Sequence, residues 1–226
     1  MKVSVIFPAR NEEELIASSV LDVHKYLKGK KYSFEILIVD NGSKDDTVAI
    51  VKKLQKGKKE VRLISTQPGY GIAIKEGLEK ALGDYIIIFN VDFYDLHLID
   101  LIDIDLLGKD LIIGSKMAPW STDKRPQSRR IITYLFNLYL KIFYGFKGSD
   151  THGIKVFKRS VLNNIYKKCK TTSGIFDSEF VLRSQRMDYK IMDYPVEISE
   201  VRKSRFTNRI FQTPKDISDL FNALRK

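Results

Sequence analysis

Short apolar runs alternate with amphipathic stretches along the first half of the chain. Residues 3–7, 34–39, 61–65 and 84–89 are compact apolar runs bounded by turn-forming residues, as in strands buried on both faces of a parallel sheet. Between them, residues 12–27 set Leu15, Ile16, Ser19, Val20, Val23 and Leu27 on one helical stripe behind a first turn of glutamates. A second helix is predicted over 44–54, after the turn Asp40-Asn41-Gly42-Ser43, and a third opens at Gly69-Tyr70-Gly71, runs to 82 and stops at Gly83. These alternations predict an α/β fold with a central, mostly parallel sheet, helices on both faces and right-handed crossovers.

The second half is less regular. A helix is predicted over 98–107, a strand over 111–114, and a mobile, basic loop over 117–130. Residues 131–146 are rich in Ile, Leu, Phe and Tyr. A strand over 154–157 and a helix over 176–187 follow. Residues 190–198 alternate as a strand, placed at a sheet edge by Pro195, and a terminal helix over 213–225 starts at Pro214. With no internal repeat and no linker, 1–226 reads as a single domain. Residues 1–95 read as a nucleotide-type half and 96–226 as a more specialised half.

Composition narrows the partners. Lys and Arg number 39 against 28 Asp and Glu, a net charge of +11 that favours anions such as nucleotide phosphates or acidic lipid surfaces. The single cysteine, Cys169, excludes an intrachain disulfide and a cysteine-cluster zinc site, and without a recognisable partner it reads as inert. The first apolar run is too short for a signal peptide, and no stretch is apolar enough to span a bilayer. The expectation is a soluble, cytoplasmic protein. No RNP-type aromatic motif or zinc finger accompanies the charge, so a nucleic-acid-binding protein is the weakest reading and no nucleic-acid partner is expected.

Ligands of open parallel sheets bind at the carboxyl ends of the strands. Here those ends are 8–12, 40–43, 66–71 and 90–95, and none carries a G-x-G-x-x-G or Walker loop. Asn90 and Asp92 stand two apart after the fourth run. On an extended segment both point to one side and offer oxygens to one hard cation, and the alternative is a plain strand-end turn.

The order of these segments resembles a known family. The matching pieces are Val3 to Glu12, Ile36 to Ser43 with Asp46-Thr47, Gly69-Tyr70-Gly71 with Ala73, Lys75 and Gly77, Gly83 to Asp92, and Ile113 to Lys116. They continue with Asp150 to Arg159, Phe176-Asp177-Ser178-Glu179-Phe180, and Tyr194 to Val196 leading to Arg202, Ser204 and Arg205. Together they resemble family 2 glycosyltransferases of the GT-A fold, of the dolichyl-phosphate (polyprenyl-phosphate) mannose and glucose synthase type. The resemblance implies an inverting transferase that moves a hexose from a GDP- or UDP-sugar to a lipid phosphate. It implies that Pro8, Ala9, Arg10, Asn11 and Glu12 cradle the nucleoside, that Asp40 bonds the base, and that Gly71 and Lys75 lie beside the nucleotide. Asp92, with Asn90, is then the site of Mg²⁺ or Mn²⁺, and Arg202, Ser204 and Arg205 contact the diphosphate.

Two departures matter, and one is Phe93-Tyr94-Asp95-Leu96-His97 after the motif, where the family usually carries a stretch with Gln, His and Pro. In the other, the first acid of the family's D-x-D is Asn90, which removes a charge from the metal site and predicts weaker cation binding. Asp95 is a candidate to restore that charge if a turn re-aims it. Asn90 also motivates a second reading, a non-catalytic nucleotide-sugar-binding relative. Asp177 and Glu179 lie two apart on a helix, so only one faces the site; Asp177 is the candidate general base, against a helix-capping role. His152 is a candidate metal or phosphate ligand, whereas His24 and His97 read as ordinary helix residues. Two readings stand for 131–146: a core helix, or an apolar helix beside Arg125, Arg129 and Arg130 that rests on a membrane and guides a lipid phosphate inward. The second implies peripheral membrane association or a membrane-anchored partner.

Overall fold

A computed structural model describes residues 1–199 and 206–225, the side chains of 206–213 excepted. The first half forms β1 (Lys2–Ala9), α1 (Ile16–Lys28), β2 (Ser33–Asp40), α2 (Thr47–Gly57), β3 (Val61–Ser65), α3 (Tyr70–Lys80) and β4 (Tyr85–Ile88). The second half adds α4 (His97–Asp100), β5 (Leu111–Ser115), β6 (Thr122–Asp123), α5 (Gln127–Tyr144), β7 (Ile154–Lys158) and α6 (Arg159–Ile165). It ends with α7 (Phe176–Arg186), β8 (Ile191–Pro195), β9 (Glu197–Ile198) and α8 (Phe206–Leu224).

Seven strands make one sheet in the order β3-β2-β1-β4-β7-β5-β8. All run in one direction except β7, which is antiparallel to both β4 and β5. Successive side chains alternate between faces, so the apolar runs supply two cores. Val3, Val5 and Phe7 pack with Ile16, Val20 and Val23 of α1, while Ile6, Leu37 and Val39 pack with Ala73, Ile74 and Leu78 of α3. That is the α/β architecture with helices on both faces read from the sequence, and β8 takes the predicted edge.

Four expectations need correction. The helix over 98–107 is a single turn, α4, followed by a left-handed turn through Asp105, Leu106 and Leu107 (φ 44°, 55° and 55°). Tertiary bonds override helical spacing there. Lys30 Nζ binds Asp100 and Asp103 at 2.6 and 2.8 Å, and Tyr85 Oη donates to Asp105 at 2.7 Å. The loop over 117–130 contains β6, paired in parallel with β9, and ends where Pro126, with its fixed φ, launches α5 at Gln127. The strand over 190–198 divides at Pro195 into β8 and β9. The terminal helix starts at Phe206, so Pro214 lies inside it rather than at its start.

The segment 131–146 lies on the core along one edge only, through Phe136, Tyr139, Leu140, Tyr144 and Phe146. Only Asn137 and Leu140 of the helix are buried, and Gly145, left-handed at φ 63°, caps its end. Ile131, Tyr134, Leu135, Ile142 and Phe143 are exposed.

Candidate active site

Register brings the first two loops together. Ala9 pairs with Asp40 at the carboxyl ends of β1 and β2, and the Asn41 N–H donates to the Ala9 carbonyl at 3.0 Å. Asn11, left-handed at φ 56°, clasps the neighbouring loop twice. Its N–H donates to Ser43 Oγ at 2.9 Å and its Oδ1 accepts from the Lys44 N–H at 2.8 Å. The Glu12 N–H adds a bond to Thr47 Oγ1 at 2.7 Å. Asp40 is buried and accepts from the Gly42 and Ser43 N–H groups at 3.3 and 3.2 Å. These bonds realise the turn-forming role, and a carboxylate has lone pairs left for a ligand. Pro8 and Ala9 are buried, Arg10 is exposed, and Asn11 and Glu12 are half-buried.

Gly71 is needed for a close approach within the protein. Its N–H donates to the Thr172 carbonyl at 3.0 Å, and a Cβ there would lie 2.7 Å from the Thr172 carbonyl carbon. The open face of Gly71 therefore meets residues 172–173, which lead into α7, and not a vacant nucleotide cleft. Lys75 sets Nζ over the Phe176 ring at 5.8 Å.

After β4 the chain turns at once. Asn90 and Phe93 exchange both backbone bonds, at 3.1 and 3.2 Å, closing a tight turn over Val91 and Asp92. The expected extended segment with Asn90 and Asp92 on one side is thus replaced by a hairpin. Burial of Val91, whose carbonyl accepts from Ser19 Oγ at 2.7 Å, fixes that turn and leaves Asp92 exposed. Asp95 Oδ1 accepts from the His97 N–H at 2.9 Å, at the start of α4. Among the described residues, no three His, Cys, Asp or Glu side chains are grouped to hold a metal ion.

The reversed strand builds the other side. Because β7 is antiparallel, the residues before and at its start reach the end where the other strands finish. Asp150, fully buried, lies 2.6 Å from Lys116 Nζ and accepts from the His152 N–H at 3.0 Å. Burial alone would raise its carboxyl, but Lys116 outweighs it and holds the value down to about 2. Lys155 is 1% exposed and donates to Asp177 Oδ1 and the Gly153 carbonyl, both at 2.7 Å. The other oxygen of Asp177 accepts from Tyr70 Oη at 3.0 Å. His152 is exposed, with its ring edge-on to Phe136 of α5 at 5.4 Å.

Glu179 faces away from this cluster. It accepts from the Lys170 and Thr171 N–H groups and from Arg183 Nε at 2.8–2.9 Å, pinning the loop before α7. The two acids on this helix point different ways, and Asp177 is the one at the strand ends. Cys169 is buried, and burial pushes its thiol up. Arg125 is not an open cation: its guanidinium forks onto Asp123 at 2.7 and 2.9 Å. Arg202, Ser204 and Arg205 lie outside the described residues. Tyr70, Lys116, Asp150 and Lys155 lie in the segments that carry the family resemblance, but the sequence reading gave them no role. The available signal was Lys155 inside the apolar run 154–157, since a lysine buried in a strand demands an anion.

The chain is similar to several known proteins. A dolichyl-phosphate beta-glucosyltransferase of Saccharomyces cerevisiae is 31% identical over 227 residues, covering 89% of this chain and 68% of that protein. The Dictyostelium discoideum dolichyl-phosphate beta-glucosyltransferase is 29% identical, covering 95% of this chain and 72% of its own length. In fold, the chain superposes on the Mycobacterium tuberculosis glucosyl-3-phosphoglycerate synthase solved with Mn²⁺ and UDP-glucose. The TM-score is 0.72 at 18% identity, over 98% of this chain and 78% of that one. Residues 4–166 match the family model described as Glycosyl transferase family 2, so the chain is a glycosyltransferase and belongs to that family.

Proposed function

We propose that this protein transfers a hexose from a nucleoside diphosphate sugar to the phosphate of a polyprenyl lipid, with inversion at the anomeric carbon. The observation that carries the acceptor class is Asp177. Unlike Asp40 it is committed to a buried ion pair, its charge matched by Lys155 at 2.7 Å, with Tyr70 on its other oxygen. A hydroxyl acceptor needs a base to take its proton, whereas a phosphate arrives ionised near neutral pH. In this reading an acceptor phosphate oxygen attacks the anomeric carbon. The new C–O bond forms as the bond to the donor's diphosphate oxygen breaks, and the nucleoside diphosphate leaves with the electron pair. Asp177 then acts as a fixed carboxylate beside the acceptor.

The clasped loop of Pro8, Ala9, Arg10, Asn11 and Glu12, with Asp40, supports a nucleoside site; Lys75 is assigned beside the nucleotide, and Arg202, Ser204 and Arg205 to the donor's phosphates. Asp92, exposed on the turn after β4, is the carboxylate assigned to a hard divalent cation in donor chemistry, with Asn90 at the base of that turn, because Mg²⁺-type sites commonly use one or two carboxylates and draw the remaining oxygens from substrate phosphates and water. Mg²⁺ or Mn²⁺ bound there would neutralise charge on the departing diphosphate. The exposed apolar face of α5 supports work at a membrane surface. No described helix is long and apolar enough to cross a membrane. The dolichyl-phosphate glucosyltransferases among its relatives support the same acceptor.

The test offers radiolabelled UDP-glucose or GDP-mannose with polyprenyl phosphate, the matching polyprenol, or 3-phosphoglycerate, with Mn²⁺ or chelator. Label entering polyprenyl phosphate alone is the expected result. Transfer to the polyprenol or to 3-phosphoglycerate instead would overturn the acceptor class.

A further inference from the structure

The loop between β5 and β6 holds the chain's one tryptophan in an unusual setting. The Ser121 N–H donates to the Ala118 carbonyl at 3.1 Å, closing the four-residue turn Ala118-Pro119-Trp120-Ser121. Pro119 occupies the second position and Trp120 the third, where φ is 72°. A third residue with positive φ behind a proline is the pattern of a type II turn, and glycine or asparagine is the residue that suits it. The chain has 13 glycines and one tryptophan, and it sets the tryptophan here. Trp120 is 94% exposed.

The turn is well braced. Ser121 Oγ donates to the Ser115 carbonyl at 2.6 Å and accepts from the Val196 N–H at 3.2 Å, while Ala118 is buried. Trp120 therefore stands on a fixed pedestal. Stability favours neither a left-handed tryptophan nor a bare indole in water, and an outlier of this kind points to a role.

The pedestal is tied to α5. Asn137 Nδ2 meets Met117 Sδ at 3.5 Å, and Arg125, beyond β6, reaches Thr133 Oγ1 at 3.4 Å. α5 exposes Ile142 by 66% and Phe143 by 68%, with Arg130 and Lys141 also exposed along the helix. An aromatic with a polar N–H edge, an apolar helix face and exposed cations on a chain of net charge +11 match the headgroup region of an anionic bilayer.

We propose that Trp120 is an interfacial anchor whose indole enters the headgroup layer and, together with α5, sets how the protein sits on the membrane. This rests on the reading that the acceptor is a lipid phosphate. It adds a contact point outside the transfer site.

Fluorescence excited at the red edge, where tyrosine does not absorb, reports Trp120 alone, because the chain has no other tryptophan. The full chain is mixed with phosphatidylcholine vesicles with and without phosphatidylglycerol, and co-sedimentation is measured beside emission. The expected result is salt-sensitive binding to the anionic vesicles with a blue shift, protection from acrylamide, and quenching by lipids brominated near the headgroup. Trp120→Gly suits the left-handed turn and so preserves the fold. It should weaken vesicle partitioning roughly tenfold, the scale of partly burying one large aromatic. Turnover of Trp120→Gly on a short-chain, water-soluble prenyl phosphate should stay unchanged.

Bound protein whose emission is unshifted and fully quenched by acrylamide would overturn the anchor and leave the lipid-phosphate reading standing. So would transfer to polyprenyl phosphate in detergent without any vesicle binding. A blue shift that appears without lipid as protein concentration rises would mean that a second copy covers Trp120, and would overturn the anchor as well. Failure of both vesicle binding and lipid-phosphate transfer would overturn both readings.

Discussion

The two sides of the site are built from different materials. On the side of β1 and β2 the loops are clasped mainly by backbone N–H groups meeting short side chains, as at Asn11, Ser43 and Asp40. On the side of β5, β7 and α7 two ion pairs are buried, Lys116 with Asp150 and Lys155 with Asp177. Losing one partner of a buried pair strands a charge, whereas losing one acceptor in a turn leaves backbone that water can reach. The first side should tolerate substitution and answer chiefly in ligand binding. The second should answer in stability and turnover together.

The hardest test of that contrast is Lys155→Met. It leaves Asp177 buried without its cation and should cost about 3–5 kcal/mol in urea unfolding, with transfer lost. Adding Asp177→Asn should return much of the stability and none of the transfer. If Lys155→Met is no more damaging to folding than Asp40→Ala, the contrast fails.

Acid sharpens the comparison next. Asp150 has a folded-state value of about 2 against an ordinary 3.8, so its stabilisation is complete above 3.8 and is lost as pH falls toward 2. A shift of that size is linked to roughly 2–3 kcal/mol. Circular dichroism through this window should show wild-type stability declining, and Lys116→Met should flatten that portion of the curve.

On the donor side, Asp40→Ala should weaken nucleotide binding by about 1–3 kcal/mol in calorimetry, the scale of a hydrogen bond to a charged group, with little change in the unfolding midpoint. Asn90→Asp should tighten Mn²⁺ by about the same amount, and Asp92→Asn should abolish metal-dependent transfer. Transfer that survives both chelation and Asp92→Asn would remove the cation from this turn. The smallest effect belongs to Tyr70→Phe, which deletes one bond to Asp177 and should cost about 1 kcal/mol in stability while lowering kcat more than it raises KM.

Legibility followed the same divide. The strands of the first half could be read because parallel strands buried on both faces are almost wholly apolar, as residues 5–7 and 36–39 are. The candidate donor loops followed from the rule that places ligands at strand ends. The pairing of Lys155 with Asp177 was not legible, since it joins residues 22 apart across an antiparallel strand whose direction no local pattern encodes. Likewise, the spacing of Asn90 and Asp92 was visible, but the hairpin that holds them depends on Val91 being drawn into a core formed by distant residues. The helix over 98–107 failed because its acids are spent on Lys30 and Tyr85.

The reversed strand also bears on how the chain assembles. β7 lies between β4 and β5, so the sheet cannot grow past β4 until residues 154–158 have been synthesised. Before then, Ile86, Ile87 and Ile88 form an unpaired apolar edge, the kind of edge that recruits strands from other chains. β5 and β8 can only dock afterwards, since β5 joins the earlier strands through β7. One inserted strand thus makes completion of the acceptor side and closure of a sticky edge the same folding event.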